Sequence, residues 1–419
     1  MPSLFNILIY HHVTKGMTGT NIFLIQFLKA LDRSRFNVKL LIYGEVDSKL
    51  MTQLKKHANE IEYWHLPFLS RTFSTFLKLI MGFLIELLVI RKFRYSNKFH
   101  LIISTNPFVI PIFPNIAYVH YPSFNYEAFL SQYSTFTLTN RIINMLYGTL
   151  ITIFMLLFNK VTLAFFGRHA KNVLYLTNSK YTAKIIKLYC RRRSVVVHPP
   201  VNVKMHSKAC SNDKLRAPYV ITISRFAHEK KLHVIPIIAK LVKLPVSFII
   251  LGTLKGRMGQ EVKDAIEKLC RSLSVEDKVK MLPNLNDESK IEILCSSKIY
   301  LHTMPNEHFG ITVVEAMASG LPVIVPDDGG PYEDIIDFGK YGLAYHSPKH
   351  AAELIEALLS DEKLWKYYSE LSRTRALEYD FNIFKAKINK VLSLYLSIYV
   401  SKCNTGEVGC ASTLRSSSP

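Results

Sequence analysis

The stretch His302–Glu315, HTMPNEHFGITVVE, holds two carboxylates, Glu307 and Glu315, with seven residues between them. An apolar run ending at Thr303 reads as a strand, Pro305-Asn306-Glu307 as a loop, and Phe309-Gly310 as the opening of a helix. Glycine at that junction lets a ligand or another backbone come close. The unpaired amides of the helix start form an anion site suited to a phosphate. Glu307 lies just before that site and Glu315 in the second turn of the helix. Carboxylates accept hydroxyl hydrogen bonds well, so one could hold sugar hydroxyls and the other ribose hydroxyls. The plain alternative is two solvated glutamates. Against it, Glu315 sits amid Val313, Val314, Ala316 and Met317, where an idle charge is costly.

Three further clusters could serve the same chemistry. Arg225 follows a strand at Ser224, and Glu229-Lys230-Lys231 comes shortly after; an arginine and a lysine on one loop at a strand's carboxyl end suit a diphosphate. Pro326–Glu333, PDDGGPYE, offers bare backbone at Gly329-Gly330 and a hydroxyl acceptor at Glu333, though a simple turn reads equally well. His120, in YVHYP, ends a strand, where ligands of α/β folds bind, yet a lone histidine is as readily structural. GxxxxGK[ST] and GxSxG are absent, which argues against a P-loop nucleotidase and an α/β-hydrolase. No D-x-D pair is present to bridge a metal to a diphosphate, so Arg225, Lys230 and helix amides are expected to neutralise it without a metal.

These residues need a scaffold that collects strand ends. Apolar runs over 5–10, 37–43, 101–104, 116–120, 173–177 and 194–197 alternate with helical spacing such as 21–31, which specifies a parallel α/β sheet. A polar, proline-containing linker is expected over 198–218. The alternation then restarts, with strands over 219–224, 247–251, 279–282, 299–303 and 322–325. Helices are expected over 235–241, 259–273, 287–295, 309–319 and 350–360. The domains expected are 1–205 and 206–395, two Rossmann-like halves with a cleft between them, and a disordered Ser/Gly-rich tail over 396–419. The six cysteines form no CxxC pair and suggest neither a zinc site nor a disulfide framework.

Net charge is +21, and it is one-sided: up to Met205 there are 25 Lys and Arg against 7 Asp and Glu, and beyond it 28 against 25. A basic half-protein expects an anionic partner. Nucleic acid is one class, favoured by Arg191-Arg192-Arg193, but no recognisable nucleic-acid module accompanies the charge. An anionic membrane surface is the other. Residues 72–90 and 142–159 are very apolar, and a buried or interfacial helix is expected for both, with 142–159 at the lower limit for a span. No signal peptide is expected from the short apolar run at the start. The location expected is therefore cytoplasmic, peripheral on the cytosolic face of a membrane.

With these residues in order, the chain resembles the family-4 retaining glycosyltransferases of GT-B fold. The likeness rests on the E-x7-E motif at Glu307 and Glu315, SRFAHEK at Ser224–Lys230, AMASGLPVIV at Ala316–Val325 and GGPYE at Gly329–Glu333. A narrower likeness, to the α-1,2-mannosyltransferases that extend the dolichol-linked oligosaccharide, rests on YVHYPS, NSKYTAKII, VVHPPV and HTMPNEHFGITVVEAMASG. The resemblance implies transfer of a hexose, mannose from GDP-mannose, with retention, to a lipid-linked or other membrane-associated glycan, with no cofactor beyond the nucleotide sugar. It implies that Arg225 and Lys230 hold the diphosphate, that Phe309, Gly310 and Ile311 give it amides, and that Glu315 meets the ribose. Glu307 and His120 would face the sugar, Glu333 the donor, and Gly16 and Gly19 would belong to an N-terminal glycine loop. The paired glycines usual in that loop are Thr18-Gly19 here, and the glycine usual after the Glu-Lys is Lys231. A non-catalytic scaffold, or a protein that binds nucleic acid or anionic membrane on the same fold, is the alternative that intact Glu307, Glu315, Arg225 and Lys230 argue against.

Overall fold

A computed structural model describes residues 4–16, 18–66, 75–93, 98–106, 114–120, 173–210 and 216–404, with positions 149, 150, 153 and 157. Two sheets organise them. The first contains β1 (Phe5–Val13), β2 (Phe36–Gly44), β3 (Glu60–His65), β4 (Leu101–Ser104), β5 (Ile116–Val119), β6 (Leu174–Thr177) and β7 (Ser194–Val196) in the order 3-2-1-4-5-6-7. The second contains β8 (Tyr219–Ile223), β9 (Ser247–Gly252), β10 (Val279–Pro283), β11 (Ile299–Leu301), β12 (Val323–Pro326) and β13 (Leu343–Tyr345) in the order 10-9-8-11-12-13. Every pairing within both is parallel. Parallel strands need crossovers, and the crossover helices bury the sheet faces. The strand order reverses at β1/β4 in one sheet and at β8/β11 in the other, which opens a crevice at the carboxyl ends of those strands. These are the two Rossmann-like sheets expected for a GT-B fold.

The helices in chain order are α1 (Gly19–Ala30), α2 (Ser48–Lys55), α3 (Thr75–Phe93), α4 (Lys180–Cys190), α5 (Val203–Ala209), α6 (Val234–Leu241), α7 (Gly256–Leu273), α8 (Asp287–Ser296), α9 (Ile311–Ala318), α10 (Pro348–Ser360), α11 (Glu362–Ala376) and α12 (Phe381–Asn404). The apolar stretch at 72–90 falls largely on α3, whose Ile85, Val89 and Phe93 pack on Leu8, Tyr10, Leu41, Tyr43 and Ile102 of the first sheet. Its one acidic residue, Glu86, is buried and accepts the Tyr10 hydroxyl at 3.1 Å. Leu84 and Leu88 stay exposed on the outer side. The 142–159 stretch lies almost wholly outside the described residues. Among these, no helix is long and apolar enough to cross a membrane.

Four expectations need amendment. The 198–218 linker contains α5, capped by the Asn202 side chain on Met205 N at 3.2 Å. α12 runs through the boundary expected at 395 and on to Asn404, and it packs against the first sheet's core through Phe384, Ile388, Leu392 and Leu396. The tail expected from 396 is thus helical for its first nine residues, continuing a helix whose successive turns bury Phe384, Ile388, Leu392 and Leu396; residues 405–419 lie outside the described ones. Cys210 and Cys295, though 85 residues apart in sequence, are disulfide-bonded where α5 meets α8, with Cα atoms 5.0 Å apart. Strand β3 was hidden by its charges: Glu60 and Glu62 lie on one edge face, and both pair with Lys39 of β2, at 2.5 and 3.3 Å.

Candidate active site

The loop after β11 turns through Asn306, which adopts a left-handed φ of 55°, a conformation asparagine tolerates better than most residues. Asn306 N donates to Asp328 Oδ1 at 3.0 Å, and the Tyr181 hydroxyl donates to Asn306 Oδ1 at 2.7 Å. The next carbonyl, that of Glu307, accepts Gly330 N at 2.7 Å. A Cβ added at Gly329 would lie 2.7 Å from the Glu307 oxygen, and one at Gly330 2.3 Å from that of His308. The two glycines are therefore the bed on which the Glu307 turn rests, and the bare backbone expected there is covered by this loop.

From that turn the Glu307 carboxylate reaches Lys230 Nζ at 2.6 Å, with each side chain less than a fifth exposed. Burial pushes the Glu307 carboxyl up, but the Lys230 ammonium, and after it His302, hold it down at about 2. Lys230 ends a single 3₁₀ turn, His228–Lys230, just after β8, and its ammonium also contacts the Met304 sulfur at 3.0 Å. Lys231 takes a left-handed φ of 51° and is buried, so Lys230 is the lysine that meets Glu307. Arg225 sits on the same loop with 68% of its side chain exposed, bonded to Glu229 at 3.1 Å.

Gly310 is the N-cap of α9, with φ 94° and no side-chain cap. Val313 N turns back to the Gly310 carbonyl at 3.0 Å. The start of α9 therefore presents amides that no side chain occupies, beside the Lys230–Glu307 pair. Phe309 anchors the start: its buried ring stacks on His198 at 5.6 Å and meets Tyr379 edge-on at 5.5 Å. Ile311 begins the helix proper.

Glu315 lies half-buried on α9, and burial pushes its carboxyl up to about 7 against the lowering effect of Lys290, while Asp287 adds to the rise. The folded protein thus binds a proton there that the unfolded chain releases from about pH 4.5 upward, so stability falls as pH rises from there through 7. Glu315→Gln removes that cost and is expected to add about 1–3 kcal/mol at pH 8 and nothing near pH 4.5. Melting curves of both proteins across that window check it; a constant difference in Tm would place the carboxylate in water.

At the carboxyl ends of the first sheet, His120 follows β5. Its ring meets Phe23 edge-on at 4.4 Å and Tyr118 at 4.7 Å. Burial lowers its pKa to about 3 against a backbone hydrogen bond with Thr105, and its Nε2 is buried without a partner. It is a fixed, neutral imidazole whose Nε2 is enclosed by its neighbours. Gly16, φ 97°, lies in the loop after β1 and donates its amide to Asp47 Oδ2 at 2.8 Å. Gly19 is the first residue of α1, not part of the loop, and Thr18 caps that helix. The loop is held instead by Asn21, fully buried, whose amide donates to the Thr14 and Gly16 carbonyls, both at 2.7 Å. Nothing about an asparagine in a first helical turn marks it in sequence.

Two adjacent acidic residues of the second half reach across to α4 of the first. Glu333, expected at the donor, forms an ion pair with Lys184 of α4 at 2.8 Å. Asp334, unmarked in sequence beside it, is fully buried and accepts Lys180 N at 2.7 Å, Tyr181 N at 3.3 Å and His198 Nε2 at 2.8 Å. Its carboxylate thereby takes up the orphan amides of a helix start from the other half.

Residues 207–375 match the family described as Glycosyl transferases group 1. A GDP-Man:Man(3)GlcNAc(2)-PP-Dol alpha-1,2-mannosyltransferase of Dictyostelium discoideum is 26% identical over 278 residues, 60% of this chain and 55% of that protein. Its namesake from Caenorhabditis elegans is 27% identical over 315 residues, 66% of this chain and 64% of that one. The chain spans between half and two thirds of the length of these curated relatives. Anabaena HepE, solved in complex with UDP, superposes with a TM-score of 0.65 at 17% identity, covering 92% of this chain and 99% of that one. WaaG, a glycosyltransferase involved in lipopolysaccharide biosynthesis, does so with 0.59 at 12% identity, covering 91% and 99%. With both sheets in place, the chain has GT-B architecture, and its residues 207–375 match the family described as Glycosyl transferases group 1.

Proposed function

We propose that the protein transfers mannose from GDP-mannose, with retention, to a lipid-linked glycan at a membrane surface. The observation that carries the reading is the ionised Glu307 held by Lys230 beside the uncapped start of α9, at the point where the second sheet's strand order reverses. The similarity to GDP-mannose-dependent enzymes supplies the donor. The leaving group is a nucleoside diphosphate, and stabilising its charge is the main task. Lys230, Arg225 and the amides of Phe309, Gly310 and Ile311 do this; Arg225, exposed on its loop, can swing from Glu229 to the phosphates. Glu307 faces the departing sugar, Glu315 the ribose, and His120 the sugar from the opposite sheet. The acceptor hydroxyl attacks from the face the diphosphate leaves. The basic N-terminal half and the exposed Leu84 and Leu88 of α3 suit an anionic leaflet, where each Lys or Arg near the surface contributes about 1 kcal/mol.

The test is calorimetry in EDTA with GDP-mannose, UDP-glucose, UDP-N-acetylglucosamine and ADP-glucose. GDP-mannose is expected to bind at least about tenfold more tightly than the others, and Arg225→Ala to weaken it by about tenfold or more through loss of a charge-assisted pair. Preference for a uridine donor overturns the donor assignment. Binding and turnover that vanish in EDTA and return with Mn²⁺ or Mg²⁺ overturn the metal-free phosphate site.

A further inference from the structure

Helix α4 belongs to the half built on the first sheet, yet its opening turn lies against the loop that carries Glu307 in the other half. The Asp334 carboxylate fixes the amides of Lys180 and Tyr181, which sets the course of the Tyr181 backbone. The side chain then runs to the Glu307 loop. Its ring lies 5.8 Å from that of His308, its neighbour Thr182 reaches His308 Nδ1 at 3.4 Å, and its hydroxyl donates to Asn306 Oδ1 at 2.7 Å. Asn306 is the left-handed residue immediately before Glu307. A non-glycine residue stays in that region only when its surroundings over-determine it. Here Asp328 holds the Asn306 backbone from below and Tyr181 holds its side chain from across the cleft.

We propose that Tyr181 is a positioning residue for Glu307: its hydroxyl, through Asn306, fixes the turn that aims the carboxylate at the sugar. This rests on the reading of Glu307 given above. It makes the aim of a reacting group on one half depend on a side chain from the other, so a cleft opened at α4 is also a cleft with a misaimed carboxylate. The contribution is to geometry in the transition state, where small displacements are costly.

Tyr181→Phe tests it, since the ring and its contact with His308 remain and only the hydroxyl goes. Donor saturation kinetics with GDP-mannose and a synthetic lipid-diphosphate oligomannoside should show kcat down about three- to tenfold. The donor KM should stay within about twofold, and Tm within about 2 °C. Combined with Glu307→Gln, the same change should lower kcat no further, because residues acting through one another are not additive. An unchanged kcat in Tyr181→Phe overturns the proposal, as does a full further loss in the double variant, which would place the hydroxyl's action elsewhere. The two readings separate cleanly. A crippled Glu307→Gln beside a normal Tyr181→Phe removes this one alone, whereas a Glu307→Gln enzyme of normal kcat removes both.

Discussion

Glu307→Gln is expected to lower kcat for the proposed mannose transfer about 100-fold while moving the donor KM less than about threefold. The reason lies in where charge develops. As the diphosphate departs, the sugar gains oxocarbenium character, and a fixed carboxylate beside it is worth more in that state than in the ground state. Glu307 is suited to this because Lys230, 2.6 Å away, keeps it ionised although both are largely buried. Glutamine keeps the size and one hydrogen bond to Lys230 but carries no charge. A 100-fold loss corresponds to about 2.7 kcal/mol of transition-state stabilisation, within the range of one preorganised electrostatic contact. Glu315, proposed to meet the ribose, provides the contrast: a ribose is held alike before and during transfer, so loss of this carboxylate is expected to fall on KM. Donor saturation kinetics on the Gln variants, with melting curves as a folding control, decide the matter. Near-normal kcat in Glu307→Gln would mean that the carboxylate does not meet the reacting sugar.

The largest effect on stability is expected at Asp334. Asp334→Ala strips the acceptor from the Lys180 and Tyr181 amides and from His198 Nε2 at once, in a site with no exposed surface on the aspartate. Leaving three donors without their acceptor costs about 3–5 kcal/mol in all, which for domains of this size lowers Tm by roughly 10 °C. Asp334→Asn, which keeps one acceptor oxygen, should lose less. Scanning calorimetry would show the fall, and with the latch gone the two halves should melt as separable transitions. A single transition within about 2 °C of the parent would mean that other contacts already hold the halves together.

The fold was legible because the physics of parallel sheets is local to each strand. Buried along their whole length, β4 (LIIS) and β12 (VIVP) read as almost wholly apolar runs. β3 was not legible, since an edge strand whose outward face pairs Glu60 and Glu62 with Lys39 has no such run. At the candidate site, the placement of Glu307, Glu315 and Gly310 was legible because it is set by one strand, one turn and one helix. Asp334, Tyr181 and Asn21 could not: each acts on backbone or side chains more than four residues away in sequence, and Asp334 does so across 136 residues to His198. Gly329 and Gly330 were noticed for the right residue type and assigned the wrong neighbour, because a glycine announces a close approach without saying what approaches.

The return of α12 to the first sheet has a consequence for how the chain is made. Phe384, Ile388, Leu392 and Leu396 fill the same core as Phe23, Phe27 and Ile9, so that core stays open until the ribosome has passed both sheets. The second half, whose own core closes with α10 and partly buried side chains of α11, is complete earlier. Synthesis therefore runs against the usual order in which N-terminal domains finish first. The nascent first half, basic and with an apolar groove where α12 will lie, waits until α12 has been made, a stage at which chaperone protection matters most. Expressed alone as residues 1–205, it would keep that groove exposed and should be recovered chiefly as aggregate.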